Sequence, residues 1–118
     1  MTTKRSTERL EGYERRYREL AHQLADIGYI ASGSLAPRFT RCGKPNCSCR
    51  DEPPKPHGPY WHWTAKVNGK TVNRRLTERE AELYNEWIEN DRRARALLAD
   101  MREIATKAVA LIIEKEAG

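Results

Sequence analysis

A chain of 118 residues with 38% hydrophobic content and a single Phe makes one small domain with a thin core, so a metal or a partner is expected to help hold it together. No apolar run approaches the roughly 18 residues of a membrane-spanning helix, and the amino terminus MTTKRSTER has no apolar stretch to act as a secretory signal, so the expected location is cytoplasmic, with no membrane partner. The formal charge is +5 but unevenly spread: residues 38–75 carry nine Lys or Arg against only Asp51 and Glu52, while residues 1–37 are near neutral and residues 76–118 are acidic, so a polyanion would be drawn to the middle third.

The chain divides by pattern into three stretches, 1–33, 34–76 and 77–118. In the first, Leu10, Tyr13, Tyr17, Leu20, Leu24 and Ile27 recur at spacings of three and four, which predicts one amphipathic helix with an apolar stripe. Ser6 offers an N-cap, though Arg9 stands where a capping box wants an acid or amide, and Gly28 is placed to stop the helix near Asp26 to Gly28. Arg9, Glu11, Arg15, Arg16, Arg18 and Glu19 form its solvated face, and His22 reads as a surface residue. Residues 29–34 are small and polar, a connection. Leu35 to Arg41 looks extended, and Pro37 confines that stretch to a sheet edge or an irregular strand.

The segment Arg41 to Tyr60 holds every cysteine in the chain and five of its six prolines. Cys42, Cys47, Cys49 and His57 fall in the pattern C-x4-C-x-C-x7-H. Three thiolates and an imidazole are the ligand set of a closed tetrahedral zinc site, and no apolar run in the segment would otherwise hold its backbone in one shape. The single residue between Cys47 and Cys49 lets both sulfurs point the same way from extended backbone. His57 is the preferred fourth ligand, with His62, five residues on, as the alternative. A disulfide framework is disfavoured by the odd cysteine count. Redox thiols are the competing possibility, since Lys44 and Arg50 would lower a neighbouring thiol pKa. Catalysis by the metal is disfavoured, because Gly58 and Pro59 follow His57 and no general base travels with it.

R-C-G-K-P-N-C-S-C from Arg41 to Cys49, then H-G-P-Y-W from His57 to Trp61, an Asn-Gly turn and a long charged helix resemble the signature R-C-G-K-x-x-C-x-C…H-G-P-Y-W of an uncharacterised family of small bacterial and archaeal proteins, over roughly Ser34 to Trp87. The resemblance implies a metal-bound loop and a hairpin, no enzyme, and an association with mobile elements.

Tyr60 to Val67 and Lys70 to Leu76 flank Asn68-Gly69, a strong hairpin signal. A two-residue turn sets Val67 opposite Lys70, Ala65 opposite Val72, Trp63 opposite Arg74 and Trp61 opposite Leu76. This face is the apolar one, expected to pack on the helices, with Arg74 and Trp63 as a cross-strand cation–π pair. The other face presents Tyr60, His62, Thr64, Lys66, Thr71, Asn73 and Arg75. Thr77-Glu78-Arg79-Glu80 is a capping box, and no proline or glycine interrupts the helix it opens until Gly118. That helix would be about 60 Å long at 1.5 Å per residue. Its heptad seam runs through Tyr84, Trp87, Asp91, Ala94, Leu98, Met101, Ala105, Ala108 and Ile112. Leu98, Met101, Ala105, Ala108 and Ile112 are the expected oligomer or partner interface. The alternative is a kink near Asn90 to Arg93 that folds the last part back onto the first helix.

The expected fold is therefore α+β: a small zinc-stabilised loop and β-hairpin between an N-terminal amphipathic helix and a long, coiled-coil-like C-terminal helix. The expected function is non-enzymatic nucleic-acid binding, DNA before RNA, as an accessory or regulatory subunit with Zn2+ as cofactor. Arg38, Arg41, Lys44, Arg50, Lys55, Lys66 and Arg75 would meet phosphates, and Tyr60 and His62 would add stacking or a base-edge contact. A homodimer or larger complex would form through the C-terminal helix. The competing expectation is an adaptor whose helices recruit a larger protein while the zinc is purely structural.

Overall fold

The structure is a computed structural model that describes residues 4–40 and 57–117. The order of elements is α1 (Lys4–Ala25), β1 (Ser34–Thr40), β2 (His57–Val67), β3 (Lys70–Leu76) and α2 (Glu78–Ala117). The fold is α+β, with a three-stranded antiparallel sheet in the order β1-β2-β3. Two compact units form: residues 1–29 with 90–118, and residues 30–89. Cys42, Cys47 and Cys49, the cationic Arg41, Lys44, Arg50 and Lys55, and hence most of the expected zinc loop, lie outside the described residues.

In the sheet unit, the β2–β3 register is the expected one throughout, from Val67↔Lys70 at the turn to Trp61↔Leu76 at the far end. Asn68 (φ 52°) and Gly69 (φ 78°) both take the left-handed region that a two-residue hairpin turn demands, which is why this dipeptide sets the register. The apolar face packs on the first turns of α2. Ala65 and Leu76 are buried with Ala81 and Ile88. Trp63 meets the Tyr84 ring at 5.0 Å between centroids, and Tyr84 meets Trp87 edge-on at 5.3 Å. Such tilted aromatic pairs add about 1 kcal/mol each beyond their buried area. Trp63 is thus satisfied by an aromatic neighbour. Among the described residues the guanidinium lying over a ring is that of Arg75 on Tyr60, so the expected Arg74–Trp63 stack is replaced by a pair on the opposite face.

β1 is an edge strand, one of the two options Pro37 left open, and it pairs antiparallel with β2 from Ser34↔Thr64 to Arg38↔Tyr60. The register then shifts: Thr40 pairs with His57, so β1 advances two residues while β2 advances three. The extra residue falls at Gly58-Pro59, a bulge where proline's missing N–H costs the ladder nothing. The segment that joins Thr40 to His57 therefore leaves and re-enters the sheet at paired positions.

The connection before β1 is pinned at each step. The Ala31 amide donates to the Trp87 carbonyl at 3.1 Å, and the Trp63 indole Nε1 donates to the Ser32 carbonyl at 2.9 Å. Next, Gly33 adopts φ 101°, and a Cβ there would lie 2.5 Å from the Thr64 carbonyl oxygen and 2.8 Å from Trp63 Nε1. Only glycine lets the chain cross the tryptophan this closely.

In the helical unit, α1 is already under way at Lys4, so Ser6 stands inside the helix and not at its cap. The helix ends at Ala25, with the Asp26 amide still bonded to the His22 carbonyl at 3.1 Å, short of Gly28. Leu20, 1% exposed, centres a core with Leu97 and Met101, against which Tyr17, Ala21, Leu24, Ile27, Leu98 and Ile104 pack. The apolar stripe of α1 thus covers Leu98 and Met101 within the chain, and helical structure continues through residues 90–93, where Asp91 accepts from Arg95 at 2.7 Å. Ala105 and Ala108 line a groove with Tyr13 and Tyr17, and farther on Val109, Ile112 and Ile113 are 44–62% exposed. The free part of the expected interface is therefore the last turns of α2 alone. Among the described residues no helix is long and apolar enough to cross a membrane.

Thr77 and Glu80 form the expected reciprocal box at the start of α2. The Glu80 amide donates to Thr77 Oγ1 at 3.1 Å and the Thr77 amide donates to Glu80 Oε1 at 3.0 Å. The Thr77 backbone bond first, then its side chain, and more weakly the Arg74 charge, hold the Glu80 carboxyl below the usual carboxylate range against a small opposing effect of burial.

Candidate functional site

In an antiparallel sheet, residues directly opposite one another share a face and the faces alternate along each strand. Applied to both ladders, that rule places Tyr60, His62, Thr64 and Lys66 of β2 on one face with Thr71, Asn73 and Arg75 of β3. The same face receives Ser34, Ala36 and Arg38 from β1, Arg38 standing directly opposite Tyr60. All five described members of the expected contact set, Arg38, Tyr60, His62, Lys66 and Arg75, are thus brought to one side of the sheet. None of the three strands contains a carboxylate. With no acid in the strands to offset them, the cations add to one positive field.

Local bonds order this surface. Arg75 stands directly opposite His62, and its guanidinium reaches across the diagonal to lie 3.8 Å from the centroid of the Tyr60 ring. The Asn73 side-chain amide donates to Thr64 Oγ1 at 3.3 Å, which turns its carbonyl oxygen to His62 Nδ1 at 2.9 Å. His62 Nδ1 therefore carries the proton and donates, and in the neutral ring Nε2 keeps its lone pair. Asn73 is the positioning residue the sequence left unmarked. Its signal was present in the register, since it sits opposite Thr64 and diagonal to His62.

The metal set is treated unequally by the sheet. His57 opens β2 opposite Thr40, two residues before Cys42 in the chain, whereas His62 lies five residues farther along β2, roughly 16 Å at strand rise. The backbone thus brings His57, and not His62, to the mouth of the cysteine segment. Among the described residues no cluster of His, Cys, Asp or Glu is close enough to hold a metal.

Residues 10–85, well over half of the chain, match the family model described as Domain of unknown function (DUF6788). The chain belongs to this family. Membership of an uncharacterised family agrees with the resemblance at that level, and the DUF6788 match takes in most of α1, the whole sheet and the first turns of α2. No curated protein and no solved structure matches the chain.

Proposed function

We propose that this chain is a non-enzymatic nucleic-acid-binding module, with DNA preferred over RNA, that serves as an accessory or regulatory subunit linked to mobile elements, and whose cysteine segment is organised by Zn2+. The observation that carries the reading is the shared face of Arg38, Tyr60, His62, Lys66 and Arg75, free of carboxylates in all three strands. Arg38, Lys66 and Arg75 would neutralise phosphates, and Arg41, Lys44, Arg50 and Lys55 would extend the contact from the cysteine segment. With Nδ1 bonded to Asn73, His62 Nε2 would supply an acceptor for a base edge.

One pairing supports the zinc reading: Thr40, two residues before Cys42 in the sequence, is paired with His57 at the start of β2, so the ion would close a segment whose ends the sheet already joins. Its role is to shape the segment, with four protein ligands and no open position.

The reading is tested by fluorescence anisotropy of labelled oligonucleotides across a salt series. Affinity should fall steeply between about 50 and 200 mM salt, and each of Arg38→Ala and Lys66→Ala should weaken binding evenly across sequences and reduce the salt slope by about one. Binding indifferent to salt and to both substitutions refutes it. A second reading, recruitment of a protein partner or a second copy, is favoured by one observation: Val109, Ile112 and Ile113 are exposed at the end of α2. Truncation before Leu111, followed by a pull-down and a DNA-shift assay, separates the two, because only the second reading needs the tail.

A further inference from the structure

Where β3 runs into α2, the sheet ends in a cleft of about 310 Å³ lined by Pro59, Tyr60, Arg75, Leu76, Thr77 and Glu78. Three features of the cleft are unlike the rest of the cationic face. The Arg75 guanidinium carbon lies over the Tyr60 ring, 3.8 Å from its centroid, so one planar cation is already seated on an aromatic support. An Arg in that position offers its outer plane to a further ring, as base–guanidinium stacking requires. Finally, Glu78 brings a carboxylate, which is unfavourable beside a phosphate but suited to accept from an exocyclic amino group.

We infer that this cleft takes a single unpaired base, stacked on the Arg75–Tyr60 pair with its amino edge toward Glu78, so that the ligand of the sheet is single-stranded nucleic acid. The inference rests on the nucleic-acid reading above and narrows it. A base within a duplex has both faces covered by its neighbours and presents no ring to the guanidinium. Cytosine and adenine carry the amino group that Glu78 accepts from, whereas thymine presents a carbonyl oxygen there and meets the carboxylate unfavourably. Arg75 thus has two tasks, charge toward the backbone and a flat surface toward the base, and lysine can perform only the first.

The test is anisotropy with the full chain and labelled oligonucleotides of about twelve nucleotides, within the site sizes of single-strand binders. The probes are oligo-dC, oligo-dA, oligo-dT and a mixed-sequence strand alone and in its duplex. The variants are Arg75→Lys and Glu78→Gln, with circular dichroism to show that each is folded. The mixed strand should bind more tightly alone than in its duplex, and Arg75→Lys should weaken single strands roughly five- to a hundredfold, the range of one lost stack, with the salt slope unchanged. Glu78→Gln should narrow the preference for dC and dA over dT. Duplex binding as tight as single-strand binding, or an Arg75→Lys variant with wild-type affinity, overturns the inference and leaves the broader reading standing. Salt-dependent binding to none of the probes overturns both.

Discussion

Gly33→Ala is the sharpest test of how the sheet unit is held. The substitution asks an L-residue to take φ 101° and sets a methyl group 2.5 Å from the Thr64 carbonyl oxygen, 2.8 Å from Trp63 Nε1 and 2.9 Å from the Ala65 Cβ. Two of those neighbours are anchored, because Thr64 pairs with Ser34 in the ladder and Trp63 is held by Ser32 and Tyr84. The backbone conformation alone costs about 1–3 kcal/mol. Losing the Trp63–Ser32 hydrogen bond adds about 1 kcal/mol, and the overpacking against Thr64 a similar amount or more. A total near 4 kcal/mol would lower the melting temperature by about 16 °C, at roughly 4 °C per kcal/mol for a chain of this size. Tryptophan fluorescence is the natural readout, since Trp63 is the side chain displaced. Gly69→Ala is the internal comparison: it meets the same kind of backbone strain at φ 78° but no atom within 4 Å, so it should lose only the conformational part. A Gly33→Ala protein that melts within about 3 °C of wild type, or no lower than Gly69→Ala, refutes the account of close approach.

Leu20→Ala should cost about 2–5 kcal/mol, because the side chain is 1% exposed between Leu97 and Met101, and a chemical melt followed by helical ellipticity would show it. Thr77→Ala removes the oxygen that accepts from the Glu80 amide and should lower stability by about 1 kcal/mol in the same melt. Glu80, whose carboxyl is held below its ordinary range by the Thr77 amide, contributes stability that is present above the unfolded value and lost as pH falls through the lowered folded value. A Glu80→Gln variant should therefore show a flatter acid limb than wild type, and an unchanged limb counts against the capping box as its cause. Purified protein should contain stoichiometric zinc, and chelation should lower its melting temperature and free its three thiols to react; zinc-free protein with the same melt removes the metal from the argument.

Interactions between near neighbours were legible in the residues themselves. The Asn68-Gly69 turn set the β2–β3 register, because one dipeptide with two left-handed residues leaves no other pairing. Thr77 and Glu80 announced the start of α2 in the same way, and the spacing of Leu20, Leu24 and their neighbours marked the buried stripe of α1. Tertiary structure alone decided what each surface meets. Pro37 confined β1 to a sheet edge or an irregular strand but could not name its partner, so only the pairing with β2 put Arg38 opposite Tyr60 on the cationic face. Register alone set Arg74 beside Trp63 as the expected cation–π pair, whereas Trp63 lies against Tyr84 and the guanidinium over a ring is that of Arg75, on Tyr60. The seam of α2 carried one continuous heptad pattern, yet α1 covers Leu98 and Met101 and leaves Ile112 in solvent. The physical reason is common to these cases: turns, caps and periodicity depend on residues a few positions apart, whereas partner choice depends on which surfaces the folded chain brings within contact distance.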